Sequence, residues 1–141
     1  MKEKFAQEYP KFQVKIANFL MTQNFDARCE EYENLFNQMS SIAPDDMKIY
    51  VEKSPAFLEA RNKSLAYMER IVELHRELKA LFSLSQEALG EKYNYDLKEV
   101  DTLIAKKLQE SAYFLKQYEL SSEAGRKAIE VVNNPFLAQA L

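Results

Sequence analysis

Three groups of residues could carry chemistry, by rarity or by spacing. His75 is the one histidine and Cys29 the one cysteine; the third group is a set of clustered carboxylates. His75 lies in Glu73-Leu74-His75-Arg76-Glu77-Leu78-Lys79, at the edge of an apolar helical sector. An imidazole can change charge near neutral pH there, and Arg76 and Lys79 could supply donors to a phosphoryl group. The competing role is a boundary ring that packs on apolar neighbours and bonds water or a carboxylate. Cys29 sits in a helical seam between Phe25 and Tyr32, the place of a small hydrophobe. A Cys29–His75 nucleophilic pair would need hydrogen-bond contact and an oxyanion hole, and nothing in the sequence signals either. The carboxylates are Glu30, Glu31 and Glu33; Asp45 and Asp46; and Glu69, Glu73 and Glu77. The last three recur every four residues with Lys63, Arg70 and Arg76 interleaved, which predicts a solvated face of ion pairs. Asp45-Asp46 has neither the spacing nor the glycine of a calcium loop, and a divalent ion would need oxygens from several helices. No catalytic residue, no metal ligand set and no cofactor is expected.

A histidine on the long helix of an acidic helical bundle is similar to the histidine phosphotransfer domains. That family presents a phosphorylatable histidine followed closely by Lys and Gly, so that a response regulator can approach. Here Lys79 lies four positions after His75, one later than the family's pattern, and no glycine follows; Ala80 is the small residue nearby. The resemblance implies an exposed His75 that accepts a phosphoryl group, with Arg76 and Lys79 as its anion donors. It is carried as the alternative function.

Counts exclude much else. The 141 residues include two glycines, Gly90 and Gly125, which leaves no glycine-rich phosphate loop and no dinucleotide fingerprint. One histidine and one cysteine exclude CxxC zinc sites, HExxH proteases, a disulfide framework and di-iron bundles built on two ExxH motifs. Hydrophobic residues are 47% and charged residues 29% of the chain, a globular composition. Net charge −3 gives no general attraction for a phosphate backbone, so no nucleic-acid partner is expected. The first twenty residues hold no apolar run of a signal peptide, and no window is apolar enough to span a bilayer. A lone cysteine fits a reducing compartment, so the expected location is cytoplasmic.

The elements that must position these residues are helices throughout. Phe5, Tyr9, Phe12, Ile16 and Phe19 form one seam; Phe25, Cys29, Tyr32, Phe36 and Met39 form another. The two seams would point in nearly opposite directions on one rod. A break at Thr22-Gln23-Asn24, with Asn24 as the next N-cap, resolves this and predicts helices over 10–22 and 25–41 folded back on each other. Pro10 starts the first helix or kinks it. A short helix is expected over 45–52, following Pro44. Ser54-Pro55 opens a long one that should run to Leu89 and end on Gly90 as its C-cap. Residues 91–95 read as a linker. Asp96 and Glu99 cap the next helix, whose seam Leu97, Val100, Ile104, Leu108, Ala112, Leu115 and Tyr118 continues past Gly125 to Val132 either straight, with a kink, or as two abutting helices. Thirty-six helical residues span about 54 Å, and two such rods joined by six residues must lie antiparallel. The expected fold is all-α: one antiparallel bundle over 1–141, with two long helices as a hairpin and two to three shorter N-terminal helices against them.

What remains is surface. Tyr113 and Leu120 fall on the side of their helix opposite the Leu97–Leu115 seam, the position of a partner patch or of another helix of the bundle. Residues 134–141 carry no charged side chain, and Phe136, Leu137 and Leu141 would form one apolar patch if helical. This tail is a candidate docking peptide, or it folds over the bundle end. The expected function is a non-enzymatic protein-binding helical module, such as a cytoplasmic adaptor, an export chaperone-like escort or a complex subunit. Its partner would be another protein or a second copy of itself. Small helical export chaperones of flagellar and type III systems are similar in size and acidity, an analogy of class alone. A self-assembling structural protein is a further alternative.

Overall fold

The computed structural model describes residues 2–42 and 47–134. Among them are six helices and no strand: α1 (Lys2–Thr22), α2 (Phe25–Ser41), α3 (Lys48–Lys53), α4 (Pro55–Phe82), α5 (Gln86–Lys92) and α6 (Leu97–Asn133). The fold is an all-α bundle.

α4 and α6 form its spine. Ser64 meets Ser121, Tyr67 meets Phe114, and Arg70 meets Glu110. Position numbers fall along α6 as they rise along α4, so the pair is the antiparallel hairpin expected from its seams. Ser54 caps α4, its Oγ accepting from the Phe57 N–H at 3.1 Å, and Pro55 fills the first helical position, where a missing N–H leaves nothing unpaired. Asp96 caps α6, accepting from the N–H groups of Lys98 and Glu99. α6 runs unbroken through Gly125.

The core has two parts. At one end, Leu78 and Leu81 of α4 meet Leu97, Val100 and Ile104 of α6, together with Phe5 and Tyr9 of α1, Phe25 and Cys29 of α2, and Leu89 of α5. Further along, Met68, Ile71 and Val72 of α4 take Tyr32, Leu35, Phe36 and Met39 of α2 on one side and Phe114, Leu115 and Tyr118 of α6 on the other. The contributions of α1, α2 and α6 follow the sequence seams, since burial of one apolar stripe per helix is what holds such rods together.

Several boundaries differ from expectation. α1 starts at Lys2, not near position 10, because Phe5 and Tyr9 are buried seam positions; Pro10 sits inside the helix. Asn24 does separate α1 from α2, but through a left-handed backbone (φ 48°) and not through a side-chain cap. The long fourth helix stops at Phe82, since Ser85 caps a separate α5 by accepting from the Ala88 N–H at 3.1 Å. Gly90 is therefore a residue within α5, not a C-cap. Its missing side chain admits the Tyr95 ring, which lies 2.5 Å from where a Cβ would stand. The turn after α5 holds Asn94 and Tyr95 at positive φ, and the Tyr95 N–H closes it on the Gly90 carbonyl at 2.7 Å. α3 begins at Lys48; Pro44, Asp45 and Asp46 lie outside the described residues.

Candidate functional site

His75 is on α4, seven per cent exposed, beneath α2. Its ring stacks on Phe25 at a centroid distance of 5.6 Å and tilts against Tyr32 at 5.2 Å. Nδ1 lies 2.9 Å from the Ile71 carbonyl, which can only accept, so Nδ1 carries the proton. Burial lowers the imidazole pKa from its ordinary value; the Ile71 carbonyl works against that, and the Arg28 charge adds to it. Phosphotransfer needs an imidazole standing exposed midway along a helix, and this ring is only seven per cent exposed, packed against Phe25 and Tyr32. Arg76 turns away to Glu33, Nε to Oε1 3.0 Å, and Lys79 is exposed. The geometry that the phosphotransfer resemblance implies for His75, Arg76 and Lys79 is not present.

Cys29 is a buried core residue, and burial raises its thiol pKa, with the Lys79 charge opposing. The Nδ1 hydrogen bond of His75 goes to Ile71 and not to the thiol. The carboxylates of α4 form ion pairs, partly across the hairpin. Arg70 contacts Glu73 at 3.2 Å and Glu110 at 3.4 Å, and Lys107 reaches Glu77. Exposed pairs of this kind are worth about 0–1 kcal/mol each. Their effect is to align α4 with α6, and no group of three or more His, Cys, Asp or Glu among the described residues converges as metal ligands.

Tyr113 and Leu120 are exposed, 59% and 54%, on one face of α6. Seven residues apart, they stand two turns apart on nearly the same line. The Tyr113 ring sits edge-on to Phe114. Leu120 borders a groove of about 350 Å³ together with Ala60, Lys63 and Tyr67 of α4 and Gln117 and Ala124 of α6. Among the described residues, none of α1 or α2 lines it. Phe136, Leu137 and Leu141 lie outside the described residues. Sequence reasoning missed a second exposed apolar pair, Val14 and Met21 on α1. Their seven-residue spacing, off the Phe5–Phe19 seam, was the available signal.

Comparison of the chain with protein families, with curated proteins and with solved structures finds no match. None of the helices among the described residues is long and apolar enough to cross a membrane.

Proposed function

We propose that the chain is a non-enzymatic protein-binding helical module that works in the cytoplasm. Its partner is another protein or a second copy of the chain, seated along the open side of the α4–α6 hairpin. The supporting observation is two exposed apolar side chains on one face of α6, Tyr113 and Leu120, the second of which borders a groove lined, among the described residues, by α4 and α6 alone. A helix laid there would bury apolar anchors at i and i+7, the common mode of helix-in-groove recognition. An adaptor, an export chaperone-like escort and a complex subunit all use such a face. Phe136, Leu137 and Leu141 would be a second anchor. No nucleic-acid partner is proposed, given the net charge of −3.

The test is the double variant Tyr113→Glu/Leu120→Glu. Association, measured by light scattering for self-assembly and by co-purification for a partner, should be lost while far-UV circular dichroism is unchanged. A double variant that associates like the parent overturns the assignment of this face.

A further inference from the structure

A cavity of about 150 Å³ opens beside His75, between the α1–α2 turn and α6. Phe25, Tyr32, Leu108 and Leu115 give it apolar walls, and Arg28 stands among its lining residues. Two buried polar side chains also line it, His75 and Ser111, each more than nine-tenths buried, and the exposed Gln23 stands at its edge. The proton of His75 is committed to Ile71 through Nδ1, so Nε2 is a lone-pair acceptor. Nε2 has no hydrogen-bond partner among the described residues, and neither has the Ser111 hydroxyl. Ser40, by contrast, bonds the Phe36 carbonyl, and Ser121 the Tyr118 carbonyl. No fully occluded side-chain polar atom among the described residues lacks a partner, so both free atoms keep some accessible surface, and both residues line the cavity. Arg28 has no carboxylate partner among the described residues, yet its charge reaches the His75 ring and opposes protonation there.

These features specify a ligand. Apolar walls around a cavity of roughly 150 Å³ suit a single aromatic ring. A buried acceptor and a buried hydroxyl call for a hydroxyl on that ring, which would donate to Nε2 and accept from Ser111. The exposed Arg28 guanidinium among the lining residues could pair with a carboxylate on that ring. We propose that this cavity is a binding site for a small monocyclic aromatic acid that bears a hydroxyl group. The site is separate from the Tyr113–Leu120 face and does not depend on it.

His75 is the one histidine, so its imidazole carbon-bound protons give a single resolved pair of NMR signals. The full chain is titrated with 4-hydroxybenzoate, phenol and benzoate. 4-Hydroxybenzoate should move the His75 signals saturably. Phenol, without a carboxylate, and benzoate, without a donor for Nε2, should each bind about tenfold or more weakly, the loss expected for one charge-assisted or buried hydrogen bond. Arg28→Gln, at an exposed position, should weaken 4-hydroxybenzoate by a similar factor and leave phenol unchanged. Ser111→Ala, which keeps a good helix former, should weaken both hydroxylated probes. The proposal is overturned if no probe moves the His75 signals saturably at about 10 mM, an affinity weaker than any built site would give. It is equally overturned if all three probes act alike, or if Arg28→Gln affects phenol as much as the acid.

Discussion

Ser64 and Ser121 form a buried hydroxyl pair between α4 and α6, 5% and 8% exposed, with their oxygens 2.7 Å apart. The direction of that bond follows from a neighbour. Ser121 Oγ also donates to the Tyr118 carbonyl at 3.0 Å, and a hydroxyl has one proton. Ser64 is therefore the donor and Ser121 the acceptor. Removing each partner then has a different cost. Ser121→Ala strands the Ser64 hydroxyl in the interface, worth about 1–3 kcal/mol, against a helix-propensity gain of about 0.5 kcal/mol. The net expectation is a loss of about 1–2 kcal/mol. Ser64→Ala leaves the Ser121 proton on Tyr118, so it forfeits one net hydrogen bond of about 1 kcal/mol against the same gain, a loss of about 0.5 kcal/mol. In the double alanine variant nothing polar is stranded and both propensity gains remain, so stability should lie within about 0.5 kcal/mol of the parent. Urea unfolding followed at the helical circular-dichroism band measures all four proteins. The double variant should be more stable than Ser121→Ala alone. If Ser64→Ala is as damaging as Ser121→Ala, or if the two losses simply add, the assignment of the donor is wrong.

Gly125→Ala should stabilise the protein by up to about 1 kcal/mol in the same urea assay, because the new Cβ would sit at an ordinary 3.7 Å from the Ala60 Cβ and α6 is helical there. Gly90→Ala should do the reverse, lowering the melting temperature by several degrees, since its Cβ would fall 2.5 Å from the Tyr95 ring and 3.2 Å from Phe5. The folded state holds His75 neutral, with its pKa lowered by burial, so below the ordinary value of about 6.5 the unfolded chain takes the proton first. Stability should be full above that pH and decline as pH falls from about 6.5 towards the folded pKa, and His75→Phe should flatten that part of the curve; urea midpoints between about pH 7.5 and 5.5 would show it. Cys29, buried with its thiol pKa raised, should react with a thiol reagent only as fast as the bundle opens, with full labelling in denaturant.

The helices were legible where a polar residue with a cap's chemistry stood directly before an apolar stripe. Ser54 before Pro55 and Asp96 before Leu97 are such places, and both cap as expected. The boundary after Phe82 was missed because Leu78, Leu81, Leu84 and Leu89 keep a helical rhythm across it, while Ser85 reads equally well as a helix interior or as a cap. Only the Ala88 N–H bonding to it decides. Gly90 was misread for a related reason. A glycine near a helix end suggests a C-cap, but here its value is the space it leaves for Tyr95, a residue beyond the helix. His75 could be placed at a sector edge from spacing alone. Which side of the edge it fell on depended on α2 lying over it, a tertiary fact carried by Phe25 and Tyr32. The cavity beside it was not legible at all, since it is framed by the α1–α2 turn and by residues of α1, α2, α4 and α6 that are distant in sequence.

The two ends of the α4–α6 spine differ in side-chain size, and this difference bears on where a partner can sit. Toward the α4 C-terminus the contact is made by Leu78, Leu81, Leu97, Val100 and Ile104, and α1 and α5 close over it. Toward the α4 N-terminus Ser64 meets Ser121 and Gly125 faces Ala60, and Ala60, Ser64, Ser121 and Ala128 are all buried. Small residues let two helices approach closely, but they do not fill the valleys on either side of the contact line. Both valleys are open: the groove of about 350 Å³ beside Leu120, and one of about 210 Å³ bordered by Met39, Phe57 and Ile129. Ala60 and Ser121 line both. The end with large side chains is thus closed by α1 and α5, and among the described residues no further helix covers the end with small ones on the Leu120 side. The same small-residue contact that brings Gly125 close to Ala60 leaves grooves on both sides of the hairpin.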